Sequence, residues 1–459
     1  MKRKTCGGKR VNVKRAEGNL SVTRPQVAGI DLGSVEHYVA CPPRAGVAYV
    51  KSFGTTTPEL AALADWLQAE GVGSVAMEST GVYWIPLYEL LEQRGVEVVL
   101  ADARQMKHVP GRKTDMLDCQ WLQLLHSCGL LRGAFRPADA FCRLRAVVRQ
   151  KATLIDEQAD WLRRMQKSLD QMNVRVHRAV SDISGTTGMA MIRAIVAGER
   201  DPRKLVSLRS ERCARTPREM LEELTGNWRA DHLFNLKEAL AMYDFIIERI
   251  AIYETEIQRI LQELAPNPDV GPAPEPNNDN KKKLMRTRGQ EPLRQALYGV
   301  CASDLTSIDG ISTATAEVVL SELGANLNAF PTERHFVSYL KLSPKMAISG
   351  GKPIRKRPHG TASTRVGAAL RMAALTLRNS KTALGGAYRR LARRKGASVA
   401  VFATARKLAV LIYRMLRYGT AYVDEGLQVY EQRFQKAKLR MCKDIANQLG
   451  YKLIQQETA

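Results

Sequence analysis

Acidic residues are in short supply in this chain: 46 Asp and Glu stand against 70 Lys and Arg in 459 residues, a formal net charge of +24. A surplus of that size points to a polyanionic partner, most often nucleic acid. Histidine is scarce, and none of the eight cysteines (Cys6, Cys41, Cys119, Cys128, Cys142, Cys213, Cys301, Cys442) belongs to a Cys-x-x-Cys pair. That spacing excludes a zinc ribbon or finger and reads as reduced thiols in a cytosolic protein. No apolar run approaches the roughly 18 residues that a membrane helix needs. The basic N-terminus lacks the apolar segment of a secretory signal. The expectation is a cytoplasmic protein with no membrane partner.

What is present is ample apolar content, 45% hydrophobic residues, enough for packed cores in two or three domains. Residues 1–26 form a basic arm with Glu17 as its one acid, suited to lying along phosphates. From residue 27 the pattern becomes that of an α/β domain, 27–138. Val27 to Leu32 is an apolar run containing Asp31, and strands are expected at Val39–Cys41 and Val47–Phe53. Pro58–Ala69 has Leu60, Leu63, Trp66 and Leu67 at helical spacing. Ser74–Met77 reads as a buried strand followed at once by Glu78, Trp84–Gln93 as a helix and Val96–Leu100 as a further strand. Strands first and then strand–helix alternation imply a sheet with parallel members, whose functional groups gather beyond the carboxyl ends of the strands.

Lys113-Thr114-Asp115-Met116-Leu117-Asp118-Cys119-Gln120-Trp121 follows. On a helix, Asp115 and Asp118 share a face. Clustered carboxylates repel unless a proton or cation lies between them, and Mg²⁺, which takes oxygen ligands from one or two carboxylates plus phosphates, is the fitting cation. The plain alternative is a solvated Asp pair at a helix start, where acids are favoured anyway. Asp31 and Glu78, at strand ends, could join the pair in one pocket. Asp102, after the last strand, is a weaker rival because it lacks a partner at helical spacing.

The motifs GIDLGS, MESTGVYW and GRKTDMLDCQWL, in that order, resemble the RuvC-like domain of DEDD transposases of the IS-one-ten type, the bridge-RNA-guided recombinases. The resemblance implies an RNase H-type α/β fold that binds Mg²⁺ through Asp31, Glu78, Asp115 and Asp118. GIDLG alone is common in other folds; the ordered set of three motifs carries the likeness.

Residues 139–264 are charged, strand-poor and helical. Trp161, Met165, Leu169, Met172 and Val176 recur at helical spacing, and Leu240, Tyr243, Ile247, Ile250, Ile257, Leu261 and Leu264 follow a heptad pattern that Glu254 breaks. This predicts a coiled-coil seam, within one chain or between two; in the family, this region joins protomers. Residues 265–284 are a proline-rich linker. In the segment 285–423, Leu305–Gly324 resembles a helix-hairpin-helix, with Gly310 in the turn and Ser312 or Thr313 as cap. An ordinary helical corner is the alternative.

Ser349 precedes Gly350 and Gly351 and sits among Lys345, Lys352, Arg355, Lys356 and Arg357. Glycines admit a polyanion to the backbone, cations hold its phosphate, and a hydroxyl there could attack phosphorus. By itself the segment also reads as a basic turn. LKLSPKMAISGGKPIRKR, VGAALRMAALTLRNSKTALGGAYRRLARRKG and ATARKLAVLIYRMLRYG resemble the mainly α-helical C-terminal transposase domain of the same family, which makes Ser349 the nucleophile. The resemblance further implies donor and target DNA as substrates, a structured noncoding RNA as guide, and a dimer of dimers in which acids of one protomer meet the serine of another. Two rival readings are a junction-resolving endonuclease that uses metal-activated water, and a non-catalytic basic scaffold. The tail, 424–459, carries no family inference.

Overall fold

The computed structural model describes residues 21–44, 47–78, 81–101, 115–265, 271–275, 289–343, 347–349, 352–354, 364–419, 421 and 427–454. Most of the basic arm and of the linker, together with Asp102, lies outside the described residues. The chain divides into two units, residues 1–136 and 137–459.

The first unit is a five-stranded sheet in the order β3-β2-β1-β4-β5. Its strands are β1 (Val27–Leu32), β2 (Glu36–Arg44), β3 (Val47–Gly54), β4 (Ser74–Glu78) and β5 (Glu97–Ala101). β1 runs antiparallel to β2 and parallel to β4, and β4 is parallel to β5. This is the mixed α/β sheet that strand–helix alternation predicts. The strands extend further than their apolar centres suggested, and Glu78 is the last residue of β4, not the one after it.

Alternation of side chains across the sheet divides it into two faces. Ala28, Ile30, Val75 and Met77 pack with Leu60, Leu63 and Leu67 of α1 (Thr57–Ala69) and Leu87 and Leu91 of α2 (Trp84–Gln93). The opposite face receives α3 (Asp115–Ser127), which packs on β1, β2 and β4. Residues on that side are small: Leu122 of α3 sits on Ala76 and Ala101.

The second unit is helical apart from one hairpin among the described residues. Two long helices, α4 (Asp139–Gln171) and α9 (Ala230–Leu264), pack along each other within the chain. The short helices α5 (Val176–Ala179), α6 (Thr186–Val196), α7 (Pro202–Ser207) and α8 (Pro217–Glu223) lie between them in sequence. They close a core over one end of the helix pair around Met165, Leu169, Met191, Ile195, Leu236 and Leu240. The heptad reading needs one correction. Ile246 is buried, whereas Ile247 is exposed and Ile250 only half-buried. Leu236, Ala239, Tyr243 and Ile246 face the core at spacings of three, four and three, and Ile257 and Ile260 continue the same heptad, so the repeat holds with Ile246 in the place expected for Ile247.

Next come α10 (Glu291–Cys301), one 3-10 turn at Leu305–Ser307 and α11 (Thr313–Leu323). Gly310 adopts φ +84° in the turn before α11, and the Ser312 hydroxyl accepts from the Thr315 N–H as its cap. Of the expected helix pair at Leu305–Gly324, the first member is only the 3-10 turn. The remaining elements are α12 (Glu333–Tyr339), a hairpin of β6 (Ala347–Ser349) and β7 (Lys352–Ile354), α13 (Arg365–Thr376), α14 (Ala383–Lys395), α15 (Ala397–Tyr418) and α16 (Leu427–Gln448). The tail thus holds a helix for which no expectation existed. Among the described residues, no helix is long and apolar enough to cross a membrane.

Candidate active site

The parallel register pairs Gly29 with Ala76 and Ile30 with Met77. Asp31 and Glu78 are the next residues on the two strands, so they come side by side at the carboxyl ends of β1 and β4. By the pleat, Asp31 is on the face of Gly29, and Glu78 on that of Ala76. That is the face α3 covers.

Gly29 explains how closely. A Cβ there would lie 2.3 Å from both the Cys119 carbonyl oxygen and the Gln123 backbone nitrogen. Only a residue without a side chain lets β1 and α3 meet at that depth. Three further contacts set the helix along the strands. Gln123 Nε2 donates to the Val27 carbonyl at 3.4 Å, His126 Nε2 meets the Ser74 hydroxyl at 2.8 Å, and the Ser127 carbonyl accepts from the backbone N–H groups of Thr23 and Arg24. Residues late in α3 therefore lie beside the start of β1 and residues early in α3 beside its end. The amino-terminal turn of α3, with Asp115 and Asp118, is aimed at the strand ends that carry Asp31 and Glu78. The side chain of Asp115 itself lies outside the described residues.

Cys119 reports the local field. Burial pushes its thiol up to about 12, and the negative charge of Asp31, with a smaller push from Asp118, adds to the rise. Asp31 and Asp118 thus act on the same buried sulfur from β1 and α3. Asp31 and Asp118 offer oxygen donors, which suit a hard cation. Among the described residues no three acidic, histidine or cysteine side chains lie close enough to hold a metal. Two carboxylates completed by phosphate oxygens suffice for Mg²⁺, so the chemistry of the donors fits that ion.

Ser349 occupies the last position of β6, directly opposite Lys352 on β7. Only Gly350 and Gly351 separate them in sequence, a two-residue connection of the kind that glycines serve in tight hairpins. The side chains of Ser349 and Lys352, and all of Lys345, Gly350, Gly351, Arg355, Lys356 and Arg357, lie outside the described residues.

A transposase family model, the DEDD type of IS110, matches residues 28–174, and a second, the transposase IS116/IS110/IS902 family, matches residues 302–389. Together they take up more than half of the chain. The chain belongs to the IS110 family of transposases. No curated protein matches it. As an IS110-family transposase it is an enzyme of DNA transposition and recombination, and DNA is its substrate. The first match contains Asp31, Glu78, Asp115 and Asp118, and the second contains Ser349. Sequence reasoning missed the residues that seat the acids: Gly29, Ala76, Gln123 and His126. Gly29 lay within the GIDLGS motif, but nothing in one sequence says what presses on it.

Proposed function

We propose that this transposase cuts and rejoins DNA through a covalent phosphoserine link made by Ser349, with Mg²⁺ held by Asp31, Glu78, Asp115 and Asp118. The observation that supports the acid half is the seating of α3 at Gly29, which brings the amino-terminal turn of α3 toward the ends of the strands bearing Asp31 and Glu78. When bound, the ion supplies Lewis acidity at the scissile phosphate. Asp31, Glu78, Asp115 and Asp118 would hold the ion beside the phosphate. In the serine half, the Ser349 Oγ–P bond forms as a P–O bond to a deoxyribose oxygen breaks, and the serine proton ends on the departing sugar hydroxyl. One phosphoester replaces another, so rejoining needs no further energy source. Lys345, Lys352, Arg355, Lys356 and Arg357 hold the phosphate in place, while Gly350 and Gly351 let it approach the backbone.

Resemblance to the family supports the rest of the reading: acids and serine come from different protomers of a dimer of dimers, and a structured noncoding RNA selects donor and target by base pairing. Base pairing can carry the sequence choice while the protein reads shape and backbone.

The deciding experiment traps protein–DNA adducts under denaturing conditions and maps the attachment residue. Ser349→Ala removes the adduct and retains nucleic-acid binding. An adduct that survives in Ser349→Ala excludes the serine. DNA cleavage that persists in Ser349→Ala with no adduct selects the water-using nuclease. Unchanged cleavage in Asp31→Ala excludes the acid site.

A further inference from the structure

The last helix, α16 (Leu427–Gln448), lies beyond both segments that match the family. Its residues divide into two separate arcs. Tyr430, Phe434, Met441 and Ile445 recur at spacings of four, seven and four and make an apolar arc. α16 packs against α14, and the Arg390 guanidinium of α14 stacks 3.4 Å from the ring of Phe434 and 4.9 Å from that of Tyr430. That contact seats Tyr430 and Phe434 against α14, while Met441 and Ile445, further along the arc, stay exposed.

The other arc carries Arg433, Lys436, Arg440 and Lys443, at spacings of three, four and three, all exposed. At 100° per residue they share about 80° of the helix circumference. Acids on α16 are only Glu431 and Asp444, and among the described residues no ion pair occupies Lys436, Arg440 or Lys443. From Arg433 to Lys443 the row is about 15 Å long. Along the duplex axis that length spans roughly four base-pair steps. No aromatic residue interrupts the cationic arc, so it offers no platform on which unpaired bases would stack.

We propose that α16 is a clamp for the backbone of double-stranded DNA, in which Lys436, Arg440 and Lys443, together with Arg433, lie along phosphates of one strand. The contact is independent of base sequence and adds to binding by the rest of the enzyme. It requires neither Ser349 nor the acids, so the proposal stands apart from the chemistry proposed above.

The test uses the full-length protein and fluorescence anisotropy, with a labelled DNA duplex and a folded RNA of equal phosphate number, titrated at salt concentrations from about 0.05 to 0.3 M, the range where phosphate contacts register. The Lys436→Gln/Arg440→Gln/Lys443→Gln variant lowers the slope of log affinity against log salt by about 3 for the duplex, near 0.9 for each lost contact. Lys443→Gln alone lowers it by about 0.9. The charge-preserving Lys436→Arg/Arg440→Lys/Lys443→Arg variant keeps the parental slope. An unchanged duplex slope in the triple glutamine variant overturns the clamp and leaves a merely solvated face. A loss on the folded RNA equal to or larger than that on the duplex overturns the choice of occupant.

Discussion

The two units hold their working elements by opposite means. In residues 1–136 the acid-bearing helix is seated by what is missing, a side chain at Gly29 and bulk at Ala76 and Ala101. The helical unit is pinned by charge. Lys151 of α4 and Glu317 of α11 form a buried ion pair at 2.7 Å, and Glu322 receives both Arg149 nitrogens at 2.7 Å while its carbonyl accepts from Arg145. Arg294 of α10 is fully buried on Asp304 at 2.7 Å. Backbone packing sets a distance to tenths of an ångström and is indifferent to salt. Buried ion pairs select one register among several, yet they contribute little net stability and are costly when half-broken.

The sharpest way to break this comparison is in the helical unit. Glu317→Gln or Lys151→Met, each leaving a buried partner without its counter-charge, lowers stability by about 3–5 kcal/mol. The double Lys151→Met/Glu317→Leu variant recovers most of that loss in thermal or denaturant unfolding. Additive losses in the double variant would show that the pair is not the clamp. Second in size, Gly29→Ala costs about 1–3 kcal/mol from overpacking. It also lowers DNA cleavage more than its stability loss explains, measured well below the unfolding midpoint. Ala76→Ser, which adds one atom on the same face, is milder in both respects.

A smaller effect follows from protonation. His126 and His37 are held below the ordinary histidine range, in both cases first by burial, and for His126 also by the charge of Arg24. The unfolded chain then binds more protons than the folded one below pH 6.5. The sheet unit therefore loses stability as pH falls through 6.5 towards the depressed folded values. Above 6.5 this contribution is fully present. His126→Gln, which keeps a polar partner for Ser74, flattens that acid limb in pH-dependent unfolding. The smallest effect is chemical: the Cys119 thiol, pushed up to about 12, stays unlabelled by alkylating reagents at pH 8 in the folded protein, while exposed thiols react.

Much of the sheet unit was legible beforehand because its signals are local. Apolar runs bounded by Gly and Pro mark β1, β4 and β5, and the three-residue step from Asp115 to Asp118 belongs to one helix. The four acids could be named from motifs, but the approach of α3 to the ends of the strands depends on a parallel register between β1 and β4 and on a backbone contact at Gly29. Both join residues dozens of positions apart, and no local pattern encodes them. In the helical unit the long helices were readable from periodicity, whereas the buried member of the Ile246–Ile247 pair was not. The helix α16 was not legible because its apolar residues are interleaved with lysine and arginine.

Gly29 gives a means of judging decay. Insertion sequences multiply into many copies, most of which drift. A copy that keeps Asp31, Glu78, Asp115 and Asp118 but has gained a methyl group at position 29 has two of them, Asp115 and Asp118, on a helix pushed away from the strands that bear the others. A census by acids alone would count that copy among the living, and a census that includes the neighbouring hydrogen atom would not.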